Sequence, residues 1–218
     1  MPLLSRVQSR YVYEVESLWW DRRLGVSTRG FDARRFTPEH CYCGPTPYRR
    51  IFEVFDHFSL GKTDVLVDLG CGKGRIVCCA GRYEIRQAVG IEDVSEFAEL
   101  ARLNATRLIE RACEISIHNQ AAETFDYDEA TIIYMCNPFG VKVLSKVIAR
   151  LQDSLQRNPR GLRIAYCNPE HAALLDRTPW LVRYATWSGR HWWGYLPPVS
   201  FWRTLDLETV RSEQQTVQ

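Results

Sequence analysis

The chain has 218 residues, 45% hydrophobic and 25% charged, with a formal net charge of +2. That length suits one substantial domain, and the near-neutral balance gives no electrostatic basis for non-specific nucleic-acid binding, so no nucleic acid is expected as a partner. The sequence has no apolar run long enough for a transmembrane helix, and Met1-Pro2-Leu3-Leu4-Ser5-Arg6 is too short and polar for a secretory signal, which predicts a soluble cytoplasmic protein with no membrane partner.

In chain order, Tyr11, Val12, Val15, Leu18 and Trp19 predict an amphipathic helix. The stretch Asp21 to Phe31, rich in arginine and broken by glycine, predicts a loop. Gly44, Pro45 and Pro47 mark a turn, and a second helix is expected over Tyr48 to Phe58, with Ile51, Phe52, Val54, Phe55 and Phe58 as its apolar side. So many aromatic residues argue against a flexible tail. Of the eight cysteines, Cys71, Cys78, Cys79, Cys113, Cys136 and Cys167 fall in predicted core elements, as small buried hydrophobes do. His40-Cys41-Tyr42-Cys43 is a tight cluster without the second pair of ligands that a zinc site uses, so no metal is expected.

The organising stretch is Val65-Leu66-Val67-Asp68-Leu69-Gly70-Cys71-Gly72-Lys73-Gly74-Arg75. A short apolar run, three alternate glycines and a helix-like segment read as a buried strand, a tight turn and a helix start, with room for a ligand to approach the backbone. Such a site lies at the carboxyl end of a sheet strand and suits a nucleotide-like cofactor. Dinucleotide-binding loops use G-x-G-x-x-G; here Arg75 stands at the third glycine, and the carboxylate of Asp68 suits a cation better than a phosphate. The segment resembles the first motif of the class I S-adenosylmethionine-dependent methyltransferases, hydrophobic-x-D/E-x-G-x-G-x-G, a likeness that extends over roughly residues 60 to 170. The resemblance implies S-adenosylmethionine as cofactor, held by Asp68, Gly70, Cys71, Gly72 and Gly74. It also implies an α/β three-layer sandwich around a mainly parallel, seven-stranded Rossmann-like sheet of order 3-2-1-4-5-7-6. Residues 1–58 would form an amino-terminal helical cap of the same domain, 59–206 the core and 207–218 a frayed tail.

Residues 73–82 are expected to form the first crossover helix, and Gln87 to Glu92 a second strand ending in a carboxylate. A carboxylate there can accept from both hydroxyls of a ribose; Glu92 is the candidate, and the adjacent Asp93 competes for the role. Ser95 is expected to cap the next helix. Ile115 and Ile117 begin a third strand, followed by Gln120-Ala121 where many members of the family carry Asp-Ala for the adenine; a glutamine amide can both accept from and donate to that ring. Thr131 to Cys136 reads as a buried fourth strand ending in Asn137-Pro138-Phe139-Gly140. This resembles the (D/N/S)-P-P-(F/Y/W) motif of amine methyltransferases with one proline instead of two. It implies that the Asn137 oxygen and the Pro138 carbonyl accept from a substrate nitrogen while Phe139 packs on the target; Asn137 also borders the cofactor. A helix through Val143 to Leu151 and a strand over Gly161 to Cys167 follow, the latter ending in Asn168-Pro169-Glu170-His171. A strand pair is expected over Leu181 to Ser188 and Val199 to Leu205, joined by a loop holding Trp192, Trp193 and Tyr195.

These features predict methyl transfer from S-adenosylmethionine to a nitrogen, or oxygen, of a small-molecule substrate. The same motifs loosely resemble lysine methyltransferases with a seven-stranded sheet, which makes a protein substrate possible, and a non-catalytic cofactor-binding protein is a further alternative. The expected acceptor pocket is lined by Trp19, Trp20, His171, Trp192, Trp193 and Tyr195. Aromatic walls there exclude water and hold a planar or cationic acceptor.

Overall fold

The computed structural model describes residues 3–30, 44–189 and 196–205, with side chains from residue 11 onward. Seven strands form one sheet of order β3-β2-β1-β4-β5-β7-β6: β1 Val65–Leu69, β2 Gln87–Glu92, β3 Glu114–Asn119, β4 Ile132–Cys136, β5 Arg163–Cys167, β6 Leu181–Trp187 and β7 Val199–Thr204. The pairings among β1 to β5 are parallel, and β7 runs antiparallel between β5 and β6. The helices are α1 Leu3–Leu24, α2 Tyr48–Phe58, α3 Arg75–Ala80, α4 Ser95–Arg107, α5 Val141–Arg157 and α6 Ala172–Asp176. This is the expected sheet order.

Strand periodicity sorts the core into two layers. Val65, Val67 and Leu69 of β1, Ile133 and Met135 of β4, and Ile164 and Tyr166 of β5 face the layer of α5 and α6. Leu66, Tyr134, Ala165 and Cys167 face the layer of α1 to α4. In a period of two, Asp68 takes the same phase as Leu66, so a carboxylate stands where an apolar residue would be expected, and it is buried. Helix α2 is amphipathic as read, burying Ile51, Val54, Phe55 and Phe58, and it ends at Ser59 in a left-handed conformation.

Helix α1 departs from expectation in two ways. It continues through Asp21 to Leu24, where the sequence suggested a loop. Its apolar stripe also points outward: Tyr11 is 69% and Trp19 55% exposed, with Val12, Val15 and Leu18 exposed beside them. The inward face carries Ser17, Asp21 and Leu24, all buried, and polar groups can face inward because a buried cation meets them there. Two smaller corrections concern α3, which is shorter than read, and α4. Ser95 makes no cap: the residue before α4 is Val94, no side chain caps it, and the Ser95 hydroxyl donates to Asn119 Oδ1 instead (2.8 Å).

Among the described residues no helix is long and apolar enough to cross a membrane, and no group of three or more His, Cys, Asp or Glu could hold a metal. Six described cysteines are free; Cys41 and Cys43, like the predicted tail, lie outside the described residues.

Candidate functional site

Three glycines shape the turn between β1 and α3. Gly70, Gly72 and Gly74 have φ of 70°, 53° and 80°, the left-handed region that other residues reach only at a cost. The backbone N–H groups of Gly70 and Cys71 both donate to the Ile91 carbonyl (2.9 and 3.0 Å), which ties the turn to the end of β2. Among the described residues a side chain at Gly72 would meet nothing within 4 Å, so none of them fills the space over the turn there. One at Gly70 would lie 2.7 Å from Pro138 Cβ, so the glycine turn and the Asn137-Pro138 turn share a wall.

Glu92, at the end of β2, faces this opening. Its Oε2 accepts from the Gly72 N–H (2.8 Å) and its Oε1 from the Val94 N–H (3.0 Å). It is 7% exposed, whereas Asp93 beside it is exposed, so the structure aims Glu92 and not Asp93 at the glycine turn. Burial pushes the Glu92 carboxyl up to about 7 against the lowering effect of the two N–H donors, with Asp93 adding to the rise. Asp68 is also held well above the usual carboxylate range, first by burial and then by Glu92 nearby.

Beneath the turn, Asp68 Oδ2, the Tyr134 hydroxyl and the Thr46 hydroxyl are buried and have no hydrogen-bond partner among the described residues. Asp68 and Tyr134 are register neighbours on β1 and β4, and Thr46 lies beside Tyr134, outside hydrogen-bonding geometry. Buried polar groups are normally satisfied, so a cluster of unpartnered ones marks a place for a polar ligand or water. A carboxylate for ribose hydroxyls, the space over Gly72 and a buried acid for a positive group fit S-adenosylmethionine, which carries a ribose and an ammonium. At the neighbouring edge the Gln120 N–H donates to the Glu92 carbonyl (3.1 Å), and the half-buried Gln120 and Ala121 follow β3 directly.

A second set of residues was not foreseen as a unit. The Arg75 guanidinium, almost fully buried, donates to the Thr28 hydroxyl (2.7 Å), the Tyr13 and Ser17 hydroxyls (3.2 Å each) and the Thr46 carbonyl (3.1 Å). It lies 4.4 Å from the ring centroid of Tyr48 and 4.0 Å from Asp21 Oδ1. Asp21 in turn accepts from the Thr28 N–H and hydroxyl and from the Tyr48 hydroxyl. Asn104 adds bonds to Ser27 and to the Lys73 carbonyl. Residues 13–30, the start of α2 and the glycine turn are thus joined through Arg75. The sequence signal was Arg75 itself, standing where a dinucleotide loop carries glycine.

On the acceptor side, β4 and β5 end in register at Cys136 and Cys167, and the next residues, Asn137 and Asn168, both have positive φ (44° and 52°). Each precedes proline, which already restricts the backbone, so two strained asparagines stand side by side, as happens at functional sites. Asn137 is 1% exposed, and its Oδ1 accepts from the Tyr166 hydroxyl (2.8 Å). Phe139 is half-buried against the α5–α6 layer. His171 is the residue before α6, half-buried, with no capping bond from its side chain. The tryptophans of α1 lie at its contact with α2. Trp20 docks α1 on α2, 5.8 Å from Tyr48 and 4.6 Å from Phe52, and Trp19 packs edge-on against Trp20 with Arg23 over its ring. Trp192, Trp193 and Tyr195 lie outside the described residues.

The sheet order, the glycine turn and the acid at the end of β2 are those of the class I, seven-stranded S-adenosylmethionine-dependent methyltransferase fold, and the chain is similar to several such proteins. The profile of a family described as "Histone methylation protein DOT1" matches residues 33–131. A protein-lysine N-methyltransferase of Saccharolobus islandicus (strain REY15A) is 31% identical over 94 residues, 42% of this chain and 56% of that protein, so the match spans about half the length of the curated relative. Among solved structures, an RNA methyltransferase from Salinibacter ruber in complex with S-adenosyl-L-homocysteine superposes with a TM-score of 0.53 at 24% identity over 74% of this chain and 94% of that one. An S-adenosylmethionine-dependent O-methyltransferase from Thermotoga maritima gives 0.55 at 17% identity, over 76% of this chain and 68% of that one. These two likenesses speak for the fold.

Proposed function

We propose that the protein transfers a methyl group from S-adenosylmethionine to an amine nitrogen, and that the acceptor is a lysine side chain of a polypeptide. The observation that carries the transfer reading is the buried Glu92 carboxylate, held across the glycine turn by the Gly72 N–H. Support for lysine comes from the protein-lysine N-methyltransferase match and the histone-methylation family profile. In this reading residues 1–58 cap a core of residues 59–206, with 207–218 as a tail. The free buried thiols suit a reducing, cytoplasmic setting.

When bound, S-adenosylmethionine supplies an electrophilic methyl group on a sulfonium. Glu92 would accept from the ribose hydroxyls through its remaining lone pairs, and Asp68 would face the ammonium. Gln120 and Ala121 would border the adenine. Asn137 Oδ1 and the Pro138 carbonyl would accept the two N–H groups of a neutral amine, which directs its lone pair along the transfer axis and asks for no strong base. Incubating a lysate with methyl-labelled cofactor and this protein tests the reading. Label is expected in the protein fraction as methyl-lysine; label confined to small molecules would select a small-molecule acceptor, and no transfer at all would leave a cofactor-binding protein.

Two predictions accompany this assignment. Glu92→Ala is expected to weaken cofactor binding by about 1.5–3 kcal/mol, the scale of a hydrogen bond to a charged group, as calorimetry would measure. Because ribose hydroxyls favour the ionised carboxylate and burial holds Glu92 up to about 7 without ligand, cofactor affinity should rise up to about tenfold per pH unit below 7 and then level off. The raised value also means the ligand-free fold loses stability as pH climbs from the unfolded carboxylate range toward 7. Glu92→Gln should reduce both dependences and leave the part that Asp68 contributes. A pH dependence unchanged in that variant would remove Glu92 from the role.

A second prediction separates binding from chemistry. Asn137→Ala is expected to lower turnover roughly ten- to hundredfold, the scale of about 1.4–2.8 kcal/mol in the transition state, with cofactor affinity nearly unchanged. If both fall together, Asn137 serves the cofactor or the fold.

A further inference from the structure

We infer that Tyr166 is a positioning residue for methyl transfer: its hydroxyl locks the Asn137 carboxamide so that Oδ1 is presented to the acceptor nitrogen. The inference rests on the proposed acceptor role of Asn137. Tyr166 lies on β5, in register with Met135, two residues before Asn137. Its hydroxyl donates to Asn137 Oδ1 at 2.8 Å, in a place where both residues are buried.

The ring itself is held. Trp202 of β7 lies 6.4 Å away, centroid to centroid, and its indole N–H donates to Asp176 Oδ1 (3.0 Å). Tyr166 therefore stands on the rigid sheet, whereas Asn137 sits in a strained turn at φ 44°. A carboxamide can rotate by half a turn and exchange its oxygen for its nitrogen. Rotation here would turn an NH₂ donor toward an amine whose N–H groups need acceptors. A phenol is a stronger donor than acceptor, so a hydroxyl donating to Oδ1 disfavours that rotation, uses one lone pair and leaves the other for the acceptor. The oxygen is fixed before the acceptor arrives, which is how a neutral group can raise turnover without contributing to affinity. Tyr166 itself makes or breaks no bond in the transfer.

The test compares Tyr166→Phe, Asn137→Ala and the double variant in the full chain, after melting curves and cofactor titration confirm folded protein. Tyr166→Phe should lower kcat about tenfold while the acceptor KM and the cofactor Kd change less than about twofold. In the double variant the loss should equal that of Asn137→Ala alone, because Tyr166 acts only through the carboxamide. A purely structural tyrosine would give additive losses, or a shift in Kd and KM, and either result overturns the inference. So does a Tyr166→Phe protein that turns over at the wild-type rate while Asn137→Ala remains slow, which leaves the function assignment standing. A wild-type protein that transfers no methyl group overturns both.

Discussion

Asp21→Ala should destabilise the protein by about 3–5 kcal/mol, the scale of leaving one member of a buried ion pair without its partner. Arg75 stays buried in that variant, and its charge loses the carboxylate that faces it at 4.0 Å. Thr28 loses the acceptor of its N–H and its hydroxyl, and Tyr48 loses the acceptor of its own hydroxyl. The remaining bonds from Arg75 to Thr28, Tyr13, Ser17 and the Thr46 carbonyl are to neutral groups and cannot balance a buried cation. Removing both charges, as Asp21→Leu with Arg75→Met, should cost much less than the single change, since apolar replacements of matching size leave nothing uncompensated. Urea unfolding of the three proteins decides the matter. A loss below about 1 kcal/mol for Asp21→Ala, the level of an exposed ion pair, would mean that water reaches the cluster and that the cap is held by packing alone.

That cluster also shows where the sequence was legible and where it was not. Strand β2 and helix α2 have the bounds the sequence suggests: β2 is a run of four apolar or small residues, Ala88 to Ile91, closed by Glu92, and α2 carries a clear apolar face up to Phe58. Helix α1 misleads because its apolar residues satisfy the local pattern for an inward face, while the partner that decides its orientation is Arg75, some fifty to sixty positions later in the chain. Local periodicity reports what a helix could bury, not what waits for it. The choice between Glu92 and Asp93 has a similar character. Adjacent carboxylates are equivalent in the sequence, and the phase of β2 places one inside and the other outside. Tyr166 was invisible for another reason: within the apolar run of β5 it reads as one more buried ring, and nothing local announces that its hydroxyl meets Asn137.

Gly70→Ala is the second large effect, expected at roughly 2–5 kcal/mol of stability. Two separable costs add up. An alanine at φ 70° pays about 1–2 kcal/mol for the left-handed backbone, and its Cβ, 2.7 Å from Pro138 Cβ, forces an overpacked contact worth about 1–3 kcal/mol. The second cost has a known partner, so Pro138→Gly in the same chain should recover it and leave the first. A double-mutant cycle therefore expects a favourable coupling of about 1–3 kcal/mol between positions 70 and 138. The functional readout should differ from the other variants as well. Glu92→Ala acts on cofactor affinity and Asn137→Ala on turnover, but a side chain at Gly70 pushes apart the two turns that β1 and β4 hold together in register. Gly70→Ala should consequently lower cofactor affinity and turnover in parallel, and adding Pro138→Gly should restore affinity more than turnover, because the proposed acceptor carbonyl then sits on a looser backbone. Additive stability losses in the double variant would show that the two turns relax independently, and the shared wall between the cofactor and acceptor sides would then carry no energetic coupling.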